Sequence, residues 1–440
     1  MKFSQHNIFS RLADSDEYFI VNLLSGNADI LSKDKAQEII DGRFTDVEEY
    51  ASKGYLVEEE EENRLYRRRY ADFIDGRDKD EVQLFFVPWY SCNFACGYCY
   101  QEGYANEHGI PGEDLIDAFF DYVRKEFGER KKYITVFGGE PLLAGERYRE
   151  TIVRLLDKAA EAGLETAFVT NGYHLAEYVG ILKRCRIREV QVTLDGPEEL
   201  HNVRRPLKGG GATFDRIAAG IDQALAEGLT INLRVVVDQQ NITSLPALAH
   251  IAIERGWTNH PRFKTQLGRN YELHYCQTDR EKLLTRVEMF QEIYALLKKH
   301  PEILEFHKPA FSISKFLFEN GELPGPLYDS CPGTKTEWAF DYSGRIYSCT
   351  ATVGKQAEAL GTFFPIVSKR EELIEEWGER DVTSIPECVS CNLRLACGGG
   401  CASVAYNKTG KILSPDCRPV KELLEMGIST YFRKELAHHA

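Results

Sequence analysis

Three cysteines fall within eight residues of the stretch VPWYSCNFACGYCYQEG at 87–103: Cys92, Cys96 and Cys99. Thiolates converging from one loop are ligands for an iron–sulfur cluster or for zinc. A closed structural metal site takes four protein ligands, whereas a catalytic one keeps a position free. Three thiolates on a cubane cluster would leave one iron open to a small molecule, and that missing ligand is what would carry chemistry. Zinc is the competing reading of this spacing taken alone.

Further polar groups follow along the chain. FGGEPLL at 137–143 offers Gly138 and Gly139, which would let a ligand approach the backbone closely, and the carboxylate of Glu140. VTNG at 169–172 and TLDGP at 193–197 end two more strand-like runs. HNVRRPLKGGGATF at 201–214 holds Arg204 and Arg205, two arginines able to fork onto a carboxylate. Its glycine run does not match a nucleotide-phosphate loop. Arg234, in NLRVVVD, suits either a ligand contact or a satisfied strand position. Seven cysteines follow residue 330, in the pattern Cys331, Gly344, Cys349, then Cys388, Cys391, Cys397 and Cys401, then Cys417. Only Cys185 and Cys276 stand alone, and both read as structural thiols.

These groups need elements to position them. From residue 82, VQLFFVPWY, YITVFGG, ETAFVT, EVQVTL, TINLRVVVD and RFKTQLG read as six strands separated by helical patterns. In EDLIDAFFDYVRKEF, for example, Leu115, Phe119, Val123 and Phe127 share one face. Six βα repeats with apolar, β-branched runs imply a parallel sheet flanked by helices, either an incomplete barrel or a doubly wound sheet. In both, loops after the strand carboxyl ends build the active site, and the three-cysteine loop follows the first strand. Upstream, EYFIVNLLSGNADILS reads as two strands about a turn at Ser25–Asn27, followed by short helices in KDKAQEII and DVEEYASKGYL. The charge run EEEEENRLYRRRY reads as a solvated hairpin wing or linker. Toward the carboxyl end, turns, short strands such as WAFDYSGRIYSC and cysteines replace a large apolar core, as in small modules held together by metal.

At 440 residues the chain is too long for one ordinary core. An apolar fraction of 43% beside 28% charged residues describes a soluble globular protein, and no run has the apolar length of a membrane span. A formal charge of −14 argues against a general nucleic-acid binder. The amino terminus lacks the apolar stretch of a signal peptide, so a cytoplasmic location is expected. Twelve cysteines in such a chain point to metal ligation or catalysis in place of disulfides.

Taken in order, C-x3-C-x2-C with an aromatic residue before the third cysteine, GGEP, T-L-D-G-P and H-x3-R-P resemble the radical S-adenosylmethionine (SAM) enzymes. The resemblance runs from about 85 to 300. It implies that Cys92, Cys96 and Cys99 hold a 4Fe–4S cluster whose open iron is chelated by SAM. Reduction by an external donor such as flavodoxin or ferredoxin then yields a 5′-deoxyadenosyl radical that abstracts hydrogen. Carried over by position, Tyr98 would contact the adenine, and Gly138, Gly139 and Glu140 the methionyl amino group. Thr193 and Arg205 would hold the carboxylate, with Arg234 a further candidate and Asp195 shaping the strand-end turn.

The seven later cysteines resemble the SPASM extension of these enzymes. That implies one closed 4Fe–4S cluster on Cys388, Cys391, Cys397 and Cys417. A second would lie on Cys331, Cys349 and Cys401, making three 4Fe–4S clusters in all. Some relatives carry a further cysteine shortly before the first; here ELPGPLYDSC has none. The second cluster is therefore open to substrate, or completed by Cys276 or by a non-cysteine ligand.

The expected architecture is a partial (β/α)6 TIM-type barrel at 81–310. A small N-terminal α+β domain at 1–80 precedes it, and a C-terminal cysteine-rich iron–sulfur domain at 311–440 follows. The N-terminal unit resembles the peptide-recognition domain of ribosomal-peptide (RiPP) maturases, which bind a leader by strand addition. The expected function is thus hydrogen abstraction from a peptide substrate, forming a crosslink such as a thioether. An anaerobic sulfatase maturase, which makes formylglycine, is the alternative. There an aspartate base follows the cysteine equivalent to Cys349, whereas Thr350 stands here. An iron–sulfur electron carrier is a third reading, which would leave the SAM-site residues idle. No residue is identified as the catalytic base or hydrogen donor.

Overall fold

The structure, a computed structural model, describes residues 1–101, 103, 109–270 and 281–432. Five strands lie in the N-terminal part: β1 (Lys2–Phe3), β2 (Asn7–Arg11), β3 (Tyr18–Asn22), β4 (Asn27–Leu31) and β5 (Leu56–Val57). The expected turn at Ser25–Asn27 joins β3 to β4, and β2 adds on the other side to give an antiparallel sheet of three.

The six expected repeats follow as β6 (Val82–Val87), β7 (Lys132–Val136), β8 (Glu165–Thr170), β9 (Ile187–Thr193), β10 (Ile231–Val237) and β11 (Phe263–Arg269). They are parallel, and each pairs with its sequence neighbours. A doubly wound sheet would reverse its strand order at a switch point. No reversal occurs among these six strands, so the repeats wind as a partial barrel. Strand β10 shows how the sequence does this: Ile231, Leu233, Val235 and Val237 are buried outward, while Asn232, Arg234 and Val236 alternate inward.

The sheet does not stop at the barrel. Strand β12 (Glu337–Asp341) pairs in parallel with β6, placing Glu337 opposite Gln83 and Phe340 opposite Phe86. Antiparallel β13 (Arg345–Tyr347), β14 (Gly361–Thr362) and β15 (Ser368–Lys369) complete ten strands. The expected seam at 310/311 is thus crossed by one continuous sheet.

Residues 59–79 depart from expectation. The charge run is the start of a 21-residue helix, Glu59–Lys79, and not a hairpin wing or linker. Its charges are ordered for a helix: Glu59 to Glu62 occupy the first turn, and Arg77 and Lys79 the last, complementing the peptide dipoles. Its apolar side is aromatic. Tyr66, Tyr70 and Phe73 bring their rings to 5.1, 5.2 and 5.6 Å from that of Tyr328, whose hydroxyl donates to the Tyr66 carbonyl at 2.8 Å. The Tyr70 hydroxyl donates to Asp381 at 2.7 Å.

Ile8, Leu12, Phe19 and Val21 of the N-terminal sheet share one apolar cluster with Val382, Ile385, Cys388 and Cys397. The two ends of the chain therefore form one core. Among the described residues no helix is long and apolar enough to cross a membrane.

Tyr328 is fully buried between these parts. Tyr328→Ala should cost about 3–5 kcal/mol, as for other large aromatic truncations. Tyr328→Phe, which loses only the bond to Tyr66, should cost about 1 kcal/mol. Chemical denaturation of both variants checks the pair, and equal losses would mean that the ring contacts carry little.

Candidate active site

The three-cysteine loop leaves β6 and is strapped on both sides. On one side, the Gly139 N–H donates to the Trp89 carbonyl at 3.2 Å and the Glu140 N–H to the Ser91 carbonyl at 2.9 Å. The Trp89 indole donates back to the Glu140 carbonyl at 2.7 Å. A Cβ on Gly139 would lie 2.2 Å from the Ser91 oxygen, and Gly138 holds a φ of +128°. These glycines admit the loop's own backbone, a role that the sequence had suggested only for a ligand. On the other side, the Ala95 N–H donates to the Pro206 carbonyl at 2.9 Å and the Lys208 N–H to the Asn93 carbonyl at 2.8 Å. Arg205 is thereby seated against Cys96.

Burial, with the charges of Glu140, Cys96 and Cys99, pushes the Cys92 thiol up to about 12. Burial also raises Cys96, which Arg205 opposes. Buried thiols grouped in this way suit a cluster whose irons would take them as thiolates. Asn171, from VTNG, ties the loop to β8: its amide donates to Asn93 at 2.7 Å and its backbone N–H to Glu140 at 2.6 Å.

A cavity of about 770 Å³ fills the barrel interior over this loop. Cys92, Cys96 and Cys99 line it together with Tyr98, Gly138, Gly139, Thr193, Arg205 and Arg234. The expected SAM contacts thus meet one space, with one exception. Glu140, expected at the methionyl amino group, is fully buried and absent from the lining. Its carboxylate accepts from the Leu142 N–H at 2.7 Å, the Thr170 hydroxyl at 2.6 Å and the Asn171 N–H at 2.6 Å. It joins β7 to β8 behind the glycines. Burial raises it to about 7, against the three donors and Arg205.

The two adjacent arginines have different fates. Arg204 forks onto the protein's own Asp238 with bonds of 2.8 and 3.0 Å, and it also reaches Asp195 at 3.4 Å. Arg205 donates to the Tyr98 hydroxyl, which in turn donates to Asp195 at 2.5 Å; the Arg205 Nε has no partner among the described residues. Asp195 shapes the strand end as expected, accepting the Val236 N–H at 2.9 Å. His201, pushed down to about 2 by burial and both arginines, stays neutral and accepts the Asp195 N–H at 3.1 Å.

Arg234 lies beside Thr193 across the β9–β10 ladder. Its guanidinium covers Gly268 of β11, where a Cβ would come within 2.9 Å of Nη2. Thr193, Arg205 and Arg234 therefore offer two cations and a hydroxyl to an anionic group in the cavity.

Mutual charge effects link the later cysteines in two groups. Cys349 feels the charges of Cys331 and Cys401, and Cys388 those of Cys397, Cys391 and Cys417. Among the described residues, no three His, Cys, Asp or Glu side chains converge as a single ion requires. Thr350 and Ala351, next to Cys349, line the barrel cavity, so the turn at Cys349 borders it.

Sequence reading missed what divides these sets. Gly398, Gly399 and Gly400 hold φ of +61°, +74° and +72° between Cys397 and Cys401. A Cβ on Gly400 would lie 1.9 Å from the Asp416 oxygen. Arg380, fully buried, donates to the carbonyls of Gly399, Gly400, Ile412 and Ser414 at 2.8–3.1 Å. The three-glycine run flanked by cysteines was the available signal; nothing local marked Arg380. Cys185 sits beyond a helix end and joins neither set, and Cys276 lies outside the described residues.

Residues 86–251 match the Radical SAM superfamily, so this part of the chain is a radical SAM domain. In sequence the chain is 34% identical over 179 residues to a probable GTP 3′,8-cyclase of Methanopyrus kandleri, covering 39% of this chain and 52% of that protein. It is 31% identical over 172 residues to a GTP 3′,8-cyclase of Nautilia profundicola, covering 38% and 51%. The chain spans about half the length of these curated relatives. Its fold is similar to that of native anSMEcpe with bound AdoMet, with TM-score 0.62 and 18% identity over 82% of this chain and 99% of that one. It is also similar to Streptococcus suis SuiB bound to the precursor peptide SuiA, with TM-score 0.52 and 16% identity over 94% and 98%.

Three outcomes test this geometry. Glu140→Gln must turn an amide NH2 toward one of three donors, so it should cost about 1–3 kcal/mol in denaturation without SAM. Arg205→Lys and Arg234→Lys should each weaken SAM binding roughly 5- to 150-fold, corresponding to about 1–3 kcal/mol for a charge-assisted bond. Arg204→Gln should instead cost about 3–5 kcal/mol of stability by stranding Asp238. Equilibrium dialysis of the reconstituted protein would overturn the assignment if Arg204 alone altered affinity.

Proposed function

We propose that the chain is a radical SAM enzyme with three 4Fe–4S clusters that abstracts hydrogen from a peptide, as a ribosomal-peptide maturase forming a crosslink such as a thioether. Cys92, Cys96 and Cys99 would hold the cluster that binds SAM. Cys388, Cys391, Cys397 and Cys417 would hold a second cluster, and Cys331, Cys349 and Cys401 a third. Bound and reduced by a flavodoxin or ferredoxin, the first cluster together with SAM would supply a 5′-deoxyadenosyl radical, with methionine released from the cleaved sulfonium.

The protein's own part is positioning. Thr193, Arg205 and Arg234 orient the carboxylate of SAM, while Tyr98, held by Asp195 and Arg205, fixes one wall against the adenine. Gly138 and Gly139 lie along the methionyl end. The Glu140 carboxylate stands one layer behind, where it would favour an ammonium group.

The observation carrying the peptide reading is that Thr350 and Ala351, next to Cys349, line the cavity that the three-cysteine loop opens onto. The likeness to SuiB, whose solved complex holds a precursor peptide, extends over 94% of this chain and supports it at the level of fold. The N-terminal sheet would receive the peptide's leader by strand addition. A nucleotide substrate is the second reading, favoured by the similarity to GTP 3′,8-cyclases. That similarity covers 38–39% of this chain in the two relatives above and 56% in a probable GTP 3′,8-cyclase of Sulfurisphaera tokodaii, at 29% identity.

Anaerobically reconstituted protein should bind about twelve irons, four per cluster. With SAM and dithionite it should release 5′-deoxyadenosine. Replacing Cys92, Cys96 and Cys99 together by alanine should remove about four irons and all of that product. Stoichiometric zinc without iron would sink the metal assignment. Turnover of GTP to a cyclised product, with no reaction on a cysteine-bearing precursor peptide, would replace the peptide reading by the nucleotide one.

A further inference from the structure

The set of Cys331, Cys349 and Cys401 has three thiols for a four-iron cluster, and one acidic side chain is built into the same place. Glu337, at the start of β12, is tied by its backbone to the turn that follows Cys331. Its N–H donates to the Pro332 carbonyl at 2.9 Å, its carbonyl accepts the Thr334 N–H at 3.0 Å, and it bridges to Gly333. Its carboxylate reaches the other thiol-bearing segment, accepting the N–H of Thr350, next to Cys349, at 3.0 Å. The side chain therefore spans from the Cys331 turn to the Cys349 turn.

Two comparisons single it out. Asp329 also lies near Cys331, accepting its N–H at 2.9 Å, but its carboxylate is paired with buried Lys335. Among the described residues no lysine or arginine forms such a pair with Glu337. Glu337, like Cys331 and Cys401, adds negative charge at Cys349. A carboxylate set among thiols without a cation is costly unless a metal compensates both. Glu337 is also absent from the lining of the SAM cavity, whereas Thr350 and Ala351 form part of it. Its register partner on β6, Gln83, does line that cavity, so Glu337 stands at its border.

We propose that the Glu337 carboxylate is the fourth protein ligand of the cluster held by Cys331, Cys349 and Cys401. This rests on the cluster assignment made above. Ligation requires only the ionised carboxylate and an iron that lacks a thiolate; no bond is oxidised or reduced. The consequence is functional. With four protein ligands the cluster passes electrons and does not capture a substrate thiolate, so a thioether would form away from the metal.

The test uses the full chain carrying Cys92→Ala, Cys96→Ala and Cys99→Ala, which leaves the two later clusters, about eight irons. Iron analysis of that parent comes first: a value near four would remove the cluster assignment itself, and with it this proposal. Given about eight irons, Glu337→Gln keeps an oxygen acceptor for Thr350 but supplies no anionic ligand. It should lose about one iron and show an altered paramagnetic resonance spectrum of the reduced protein. Glu337→Cys should restore the iron and shift that cluster's reduction potential to a more negative value, because thiolate donates more strongly than carboxylate. A merely structural role would leave spectrum and potential unmoved once the fold is intact. Full iron with an unchanged spectrum in Glu337→Gln would overturn the proposal, as would loss of the same iron in Cys276→Ala with Glu337 present.

Discussion

Ionisable sulfur and carboxylate groups are buried close together here with too few cations to balance them, and the rest of the structure is arranged around that cost. Within each cysteine set, burial and neighbouring negative charge push thiols upward, Cys92 to about 12 and Cys388 to about 11. A chain left to itself would separate such groups or expose them to water. This fold holds them together by backbone bonds that do not depend on the thiols' charge. The Cys92–Cys99 loop is strapped by Gly139 and Glu140 on one side and by Pro206 and Lys208 on the other.

The few buried cations are correspondingly placed. Arg380 spends its donors on four carbonyls around the Cys397–Cys401 and Ile412–Ser414 turns. Arg204 neutralises Asp238 and supports Asp195, which fixes Tyr98 and the end of β9. Arg205 and Arg234 are left facing the cavity. The site thus separates cations that hold the strand ends in register from cations that can meet a ligand.

The N-terminal sheet and the Glu59–Lys79 helix belong to the same scheme. They cover Tyr328, Cys388 and Cys397 with apolar and aromatic side chains, while Cys391 stays half-buried and Cys417 exposed. Anything bound along that N-terminal sheet would therefore act on a surface continuous with the cysteine-rich core. The ten-stranded sheet makes the second connection, since β12 carries Glu337 into the barrel beside Gln83.

Much of this was legible in the chain itself. Alternation along β10, the C-x3-C-x2-C spacing and the seven later cysteines depend only on local order, so the barrel strands and the thiols could be read directly. Resemblance suggested that Cys401 leaves its sequence neighbours to join Cys331 and Cys349; the physical reason is the left-handed run Gly398–Gly400, which turns the chain between two packed backbones. Resemblance singles out Arg205 from the adjacent, identical Arg204; tertiary structure supplies the reason, because only Arg204 meets Asp238. It likewise turned a charge run into a helix, through the ring of Tyr328 more than 240 residues away. It also set Glu140 behind the cavity and Glu337 beside Cys349. Side-chain charge is written in the sequence, but which opposite charge, thiol or backbone donor each one faces is fixed by contacts between segments far apart in the chain.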